Sequence, residues 1–202
     1  MKSKFTSDLK REKQLSRLLD VYYQKHLVHY HTTRVHDLEN QLAGVDVVFI
    51  HRKTQDKFYI DEKAQLDYIN DDLPTFAFEL GYYKKNGFKE GWLFDQRKIT
   101  DFYALATAIY QDEPHVFTTC KITLVNREKL CSFLEQRKLT KAVLDSYLYE
   151  NKELNGKLKL KELNSRTEGY LYFSKNNKVE KPINLVLKLD FLLANAIAKR
   201  LV

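Results

Sequence analysis

At 202 residues, with 44% apolar and 30% charged side chains, the chain has the composition of an ordinary folded domain and enough length to enclose a hydrophobic core. Six Gly and three Pro argue against long flexible linkers, and no apolar run reaches the length of a bilayer crossing, so extended disorder and a helical membrane protein are excluded. The formal charge of +7 favours an anionic partner, while Cys120 and Cys131 are too few and too separated for a zinc knuckle or a disulfide scaffold.

A single domain spanning 1–202 is expected. Its N-terminal MKSKFTSDLKREKQ is charged and has no apolar stretch of the export-signal type, so the expected location is cytoplasmic, with the two thiols free and no membrane partner. Leu15, Leu18, Leu19 and Tyr22 recur at helical spacing and predict an amphipathic helix from about Asp8 to Tyr30 with a basic polar face. The following HLVHYHTTRVH holds His26, His29, His31 and His36. Without cysteine or carboxylate partners at zinc spacing these read as partly exposed histidines. Asp37 to Ala43 predicts a further helical turn stopped by Gly44, a residue suited to the left-handed position after a helix end.

Val45–Ile50 and Lys57–Gln65 are apolar runs flanking the polar RKTQDK, the pattern of an antiparallel hairpin. Pro74 then introduces TFAFEL, a third strand ending near Glu79. GYYKKNGFKEG is expected to be a loop whose lysines and tyrosines suit phosphate contacts and base stacking. GWLFD predicts a short strand, with Trp92 and Phe94 assigned to the core. Thr100–Tyr110 fits strand or helix equally. VFTTCKITLV predicts a strand, and Arg127–Arg137 a helix with Leu130, Phe133 and Leu134 inward. TKAVLDSYLYENKEL predicts a second short helix and GYLYFSK another strand. PINLVLKLDFLLANAIAKRL predicts a strand passing into a terminal helix.

The chemistry is concentrated in FYIDEKAQL. On a strand Asp61, Lys63 and Gln65 share one face with Tyr59, and Ile60, Glu62 and Ala64 take the other. If the hairpin pairs, Asp46 joins Asp61 and Lys63. Two neighbouring carboxylates repel unless a proton or cation intervenes, and Mg²⁺ prefers such oxygen ligands. Lys63 could then hold an attacking water or stabilise charge developing on a phosphoryl group. Metal-assisted phosphodiester hydrolysis would use all three groups.

Asp46 followed after a turn by Asp61-Glu62-Lys63 resembles the D…(D/E)xK signature of the PD-(D/E)XK nuclease superfamily, over roughly Leu38–Leu80. The resemblance implies an α/β, restriction-endonuclease-like fold, a mixed β-sheet flanked by α-helices. It implies Asp46 and Asp61 as ligands of Mg²⁺, with Mn²⁺ as the alternative ion, and Lys63 as the catalytic lysine. Many relatives add an acid or glutamine from the preceding helix, which points to Glu39 or Gln41. Two positions depart from the pattern: Val45 stands where the motif has proline, and Glu62 where such enzymes usually carry an apolar residue. Glu62 must reach solvent or a basic partner, or become the metal ligand itself if the strand bulges. Glu79 is placed as a further metal-site acid, as a cap of the third strand, or as a partner of Lys84 or Lys85. The implied activity is a Mg²⁺-dependent deoxyribonuclease acting on nucleic acid, with a homodimer as one route to specificity. A catalytically silent nucleic-acid-binding module of the same fold is the alternative, and a protein-interaction domain the third class.

Overall fold

The computed structural model describes residues 2–84, 87–114, 116–175 and 181–202. In chain order the elements begin with α1 (Lys2–His26), β1 (Tyr30–Arg34), α2 (Leu38–Leu42), β2 (Val47–His51) and β3 (Lys57–Ala64). They continue with β4 (Thr75–Lys84), β5 (Gly87–Glu90), β6 (Phe102–Glu113), β7 (Val116–Asn126), α3 (Arg127–Gln136) and α4 (Lys141–Glu150). The last are β8 (Gly156–Leu158), β9 (Gly169–Phe173), β10 (Pro182–Lys188), α5 (Leu189–Ala194) and β11 (Ala198–Arg200). The chain forms two compact units, each built around its own sheet: Met1–Leu73, Ile99–Val125 and Ala198–Val202 in the first, Pro74–Lys98 and Asn126–Ile197 in the second.

The first unit is a mixed α/β structure with strand order β1-β2-β3-β6-β7-β11. β1, β2 and β3 form an antiparallel meander, β3 and β6 run parallel, and β11 is antiparallel to β7. Leu15, Leu19 and Tyr23 recur every four residues along α1 and are buried with Val47, Phe49, Ile60, Ala104, Ala106 and Ile122. Tyr23 meets Phe49 edge to face at 5.0 Å. The second unit carries an antiparallel sheet of order β5-β4-β10-β9-β8, with α3, α4 and α5 in the same unit. Asn126 and Thr140 cap α3 and α4 by accepting from the backbone N–H of Lys129 and Val143.

Several elements differ from the sequence expectation, each for a local physical reason. α1 ends at His26 rather than Tyr30, and Tyr30–Arg34 becomes the edge strand β1, paired with Val47–His51. Its polar side chains give no apolar alternation to read. GYYKKNGFKEG is no loop: β4 runs on to Lys84 and pairs with β5, and Lys85, with its expected pairing to Glu79, lies outside the described residues. GWLFD forms turns rather than a strand; the Gly91 and Leu93 N–H groups bond to the Leu80 and Glu79 carbonyls, and Trp92 packs half-buried on Phe78. Thr100–Tyr110 resolves as β6, buried without interruption from Tyr103 to Ile109 because both sheet faces are covered there, which removes any period-two signal. The terminal helix stops at Ala194, and Ala198–Arg200 instead pairs with Thr123–Val125.

Gly91 is held where a side chain has no room. A Cβ there would lie 2.4 Å from the Glu79 carbonyl oxygen and 2.7 Å from the Gly81 nitrogen. Both neighbours are backbone of β4, so the contact cannot relax by a rotamer change. Gly91→Ala is expected to destabilise the chain by about 1–3 kcal/mol, the usual cost of overpacking, read as a lowered midpoint in urea denaturation.

Candidate active site

The β2–β3 hairpin carries the site, and its entry is fixed by backbone bonds. α2 ends at Leu42 with Ala43 as its C-cap, Gly44 adopts a left-handed φ of 80°, and Thr100 Oγ1 donates to the Gly44 carbonyl at 2.7 Å. Val45, where the superfamily motif has proline, is buried and donates its N–H to the Asn40 carbonyl at 3.0 Å. A proline could not make that bond. Asp46 follows immediately, with its N–H on the Ile60 carbonyl at 2.8 Å and its own carbonyl accepting from Val35 at 2.9 Å.

This anchoring brings the Asp46 side chain to the middle of β3. Asp46 Oδ2 accepts the Glu62 N–H at 2.8 Å, and its charge acts on the neighbouring Asp61 carboxyl. Asp61 is 3% exposed and is ion-paired to Lys63 through Oδ1. Burial pushes the Asp61 carboxyl up to about 6; Lys63 opposes the shift and Asp46 adds to it. Asp46, Asp61 and Lys63 therefore converge. Asp46 and Lys63 also border a cavity of about 860 Å³ together with Arg34, Gln41, and Lys13 and Arg17 of α1, and the acids Glu12, Asp20 and Glu62 line it as well.

Glu62, on the other face of β3, borders the same cavity and finds its basic partner there. Its carboxylate accepts from Arg34 Nη1 at 2.8 Å and from the Tyr23 hydroxyl at 2.8 Å. Arg34 continues the network by donating to the Ser16 carbonyl at 2.7 Å and to Asp20 at 2.9 Å, so α1, β1 and β3 share one guanidinium. Burial raises the Glu62 carboxyl above its ordinary value despite these bonds, and burial followed by the Glu62 charge raises the Tyr23 phenol well above its own. Sequence inspection anticipated the need for a cation here, but neither Arg34 nor Tyr23 was among the expected site residues. The signal was the charge itself on a strand face that must be covered.

The remaining expected residues are dispersed. Gln41 reaches the cavity and donates to the Val35 carbonyl at 3.3 Å, whereas Glu39 on the same short helix is exposed and lies outside the lining. Glu79 belongs to β4 in the second unit, opposite Asn184. His36 borders the cavity, while His31 lies beside Arg52 at 3.2 Å. Among the described residues no group of three or more His, Cys, Asp or Glu side chains has metal-binding geometry. Both cysteines are free, and burial, reinforced by the Glu62 charge, pushes the Cys120 thiol up to about 12, which leaves it protonated and unreactive. Comparison with protein-family models, curated proteins and solved structures finds no match to this chain.

The raised Asp61 carboxyl makes stability depend on pH. Asp61 binds its proton more tightly folded than unfolded, where an ordinary aspartate sits near 3.8. Between about pH 4 and 6 the folded state holds the extra proton, so the Asp61 contribution to stability falls as pH rises, by about 3 kcal/mol in total. Asp61→Asn should therefore raise metal-free stability at pH 7.5 to 8 (about the plateau above the transition) and match wild type near pH 4 in parallel urea titrations.

Arg34→Met should cost about 3–5 kcal/mol, because it strands a largely buried Glu62. Arg34→Met combined with Glu62→Leu should recover most of that loss, whereas equal damage in single and double variants would show that Arg34 acts through packing alone.

Proposed function

We propose that the chain is a metal-dependent nuclease of the restriction-endonuclease-like class, hydrolysing phosphodiester bonds of DNA. The observation that carries this reading is the convergence of Asp46, Asp61 and Lys63 from two paired strands, with Asp46 and Lys63 bordering a cavity and Asp61 buried behind them. The donor set fits a magnesium ion. Two adjacent carboxyls, one buried with its charged form disfavoured, are a pair that a divalent cation relieves. Mg²⁺ characteristically takes one or two carboxylates and completes its shell with water and substrate phosphate, so a third protein acid is not required. Asp46 and Asp61 would hold it, and when bound it would supply Lewis-acid polarisation of the phosphoryl group.

The protein's own groups divide the remaining work. Lys63, with 27% of its side chain exposed, borders the cavity and is fixed by Asp61, so its ammonium can orient the attacking water and stabilise negative charge developing on phosphate oxygen. Lys13 and Arg17 line the same cavity from α1 and can position the flanking backbone. Glu62 takes no part in the chemistry on this reading; its carboxylate is engaged by Arg34 and Tyr23. The mixed sheet with a flanking helix, and the parallel β3–β6 pair beside the hairpin, agree with this class at the level of architecture. A nucleic-acid-binding module with a silent metal site is the second reading, favoured by the concentration of positive charge in the second unit.

Purified protein incubated with supercoiled plasmid, linear duplex and single-stranded DNA in Mg²⁺, Mn²⁺ or EDTA is expected to cleave only with metal. Lys63→Ala should lose at least about 100-fold in rate, the scale of removing one transition-state electrostatic contact. Equal cleavage by Lys63→Ala and wild type would end the mechanism.

A further inference from the structure

The formal charge is not shared between the two units. The second unit holds 19 Lys and Arg against 12 Asp and Glu, whereas the first balances 15 against 15, so the entire +7 resides in the second. Its five-stranded sheet has two unlike faces. Residues aligned across neighbouring strands share a face: Phe78, Leu185 and Leu171 are in register and fully buried, as are Ile183 and Phe173. The other face carries, in register, Glu79, Asn184, Tyr172 and Lys157, then Ala77, Val186 and Tyr170, and toward the β4–β5 end Tyr82 and Lys89. Tyr172 is 38% exposed, and Ala77, Lys84, Lys89 and Lys157 are exposed with it. Lys157 Nζ sits 3.9 Å from the Tyr170 ring centroid, and Lys84 Nζ 5.1 Å from that of Tyr82.

We propose that this face binds single-stranded nucleic acid, with bases stacking on Tyr172 and on the accessible parts of Tyr170 and Tyr82, and with Lys84, Lys89 and Lys157 contacting phosphates. Aromatic rings on a sheet surface can stack only on bases already out of a duplex, which selects a single strand over a helix. The charge of the unit selects a polyanion over an apolar partner. Glu79 places one carboxylate near the middle of the face and Val186 beside it is buried, so phosphates are directed to the lysines at either end and bases to the exposed tyrosine edges. The face is built from second-unit residues and the Asp46–Asp61–Lys63 cluster from first-unit residues, and the proposal shares with the nuclease reading only the nature of the ligand.

The test is fluorescence anisotropy of labelled oligo-dT and oligo-rU of about 12 nucleotides, within the span of known single-strand sites, beside a duplex of equal length. All binding is measured in EDTA, so no cleavage enters the readout. Salt-sensitive binding of a single strand is expected, weakened at least about fivefold by Tyr172→Ala and retained by Tyr172→Phe. Lys84→Ala with Lys89→Ala should reduce the slope of log affinity against log salt by about 0.7 for each phosphate no longer neutralised. This pair decides the matter should Tyr172→Ala melt early. A wild type that binds neither oligonucleotide, or unchanged binding and salt slope in these variants, would overturn the proposal. Binding that persists in EDTA while Mg²⁺ produces no cleavage would count against the nuclease reading alone.

Discussion

The Arg34–Glu62 ion pair is the constraint on which the site region depends. Glu62 occupies a strand position facing α1, and an ionised carboxylate there would be intolerable without a cation and hydrogen-bond donors. Arg34 meets it from the edge strand and Tyr23 from the helix, while the same guanidinium bonds to the Ser16 carbonyl and to Asp20. A short polar strand with little apolar burial of its own is thereby tied to both neighbours. Because β1 pairs with β2, whose entry carries Asp46, the position of that carboxylate depends on a network on the opposite side of β3.

Adjacent residues on β3 treat the same problem in opposite ways. Glu62 is surrounded by donors that satisfy both of its oxygens. Asp61 has one cation, Lys63, and one repelling neighbour, Asp46, and its carboxyl is left with a strongly raised proton affinity. Stability would be better served by asparagine or an apolar residue at position 61. A buried acid held beside a second acid is a local conflict of the kind that folded proteins keep where a ligand or a reaction resolves it.

The sequence displayed the hairpin and its acids because both depend on local signals: apolar runs around a polar turn, period-two alternation, and Gly44 at a helix end. α3, α4, β9 and β10 were legible for the same reason. β1 was not, since YHTTR gains its place from pairing with β2 and from Arg34 rather than from burial pattern. β6 was ambiguous because two covered faces erase alternation. β11 reads as the end of an apolar helix until Ile122 and Thr123 on β7 are present to pair with it. Within the site, Gln41 and Glu39 looked equivalent on paper, and only the phase of a five-residue helix separates the one that borders the cavity from the one that faces solvent.

The partition of charge bears on how such a site would meet a polyanion. A unit whose own charges cancel, Asp46 and Asp61 among them, and whose cavity is lined by acids as well as cations, offers phosphate little net attraction. Screening confines electrostatic attraction at physiological salt to about 8 Å, so a neutral unit cannot draw a strand in by its average field. The second unit, by contrast, can attract a strand to its own sheet face through its excess of Lys and Arg, and stacking on its tyrosines would add a contribution that salt does not erase.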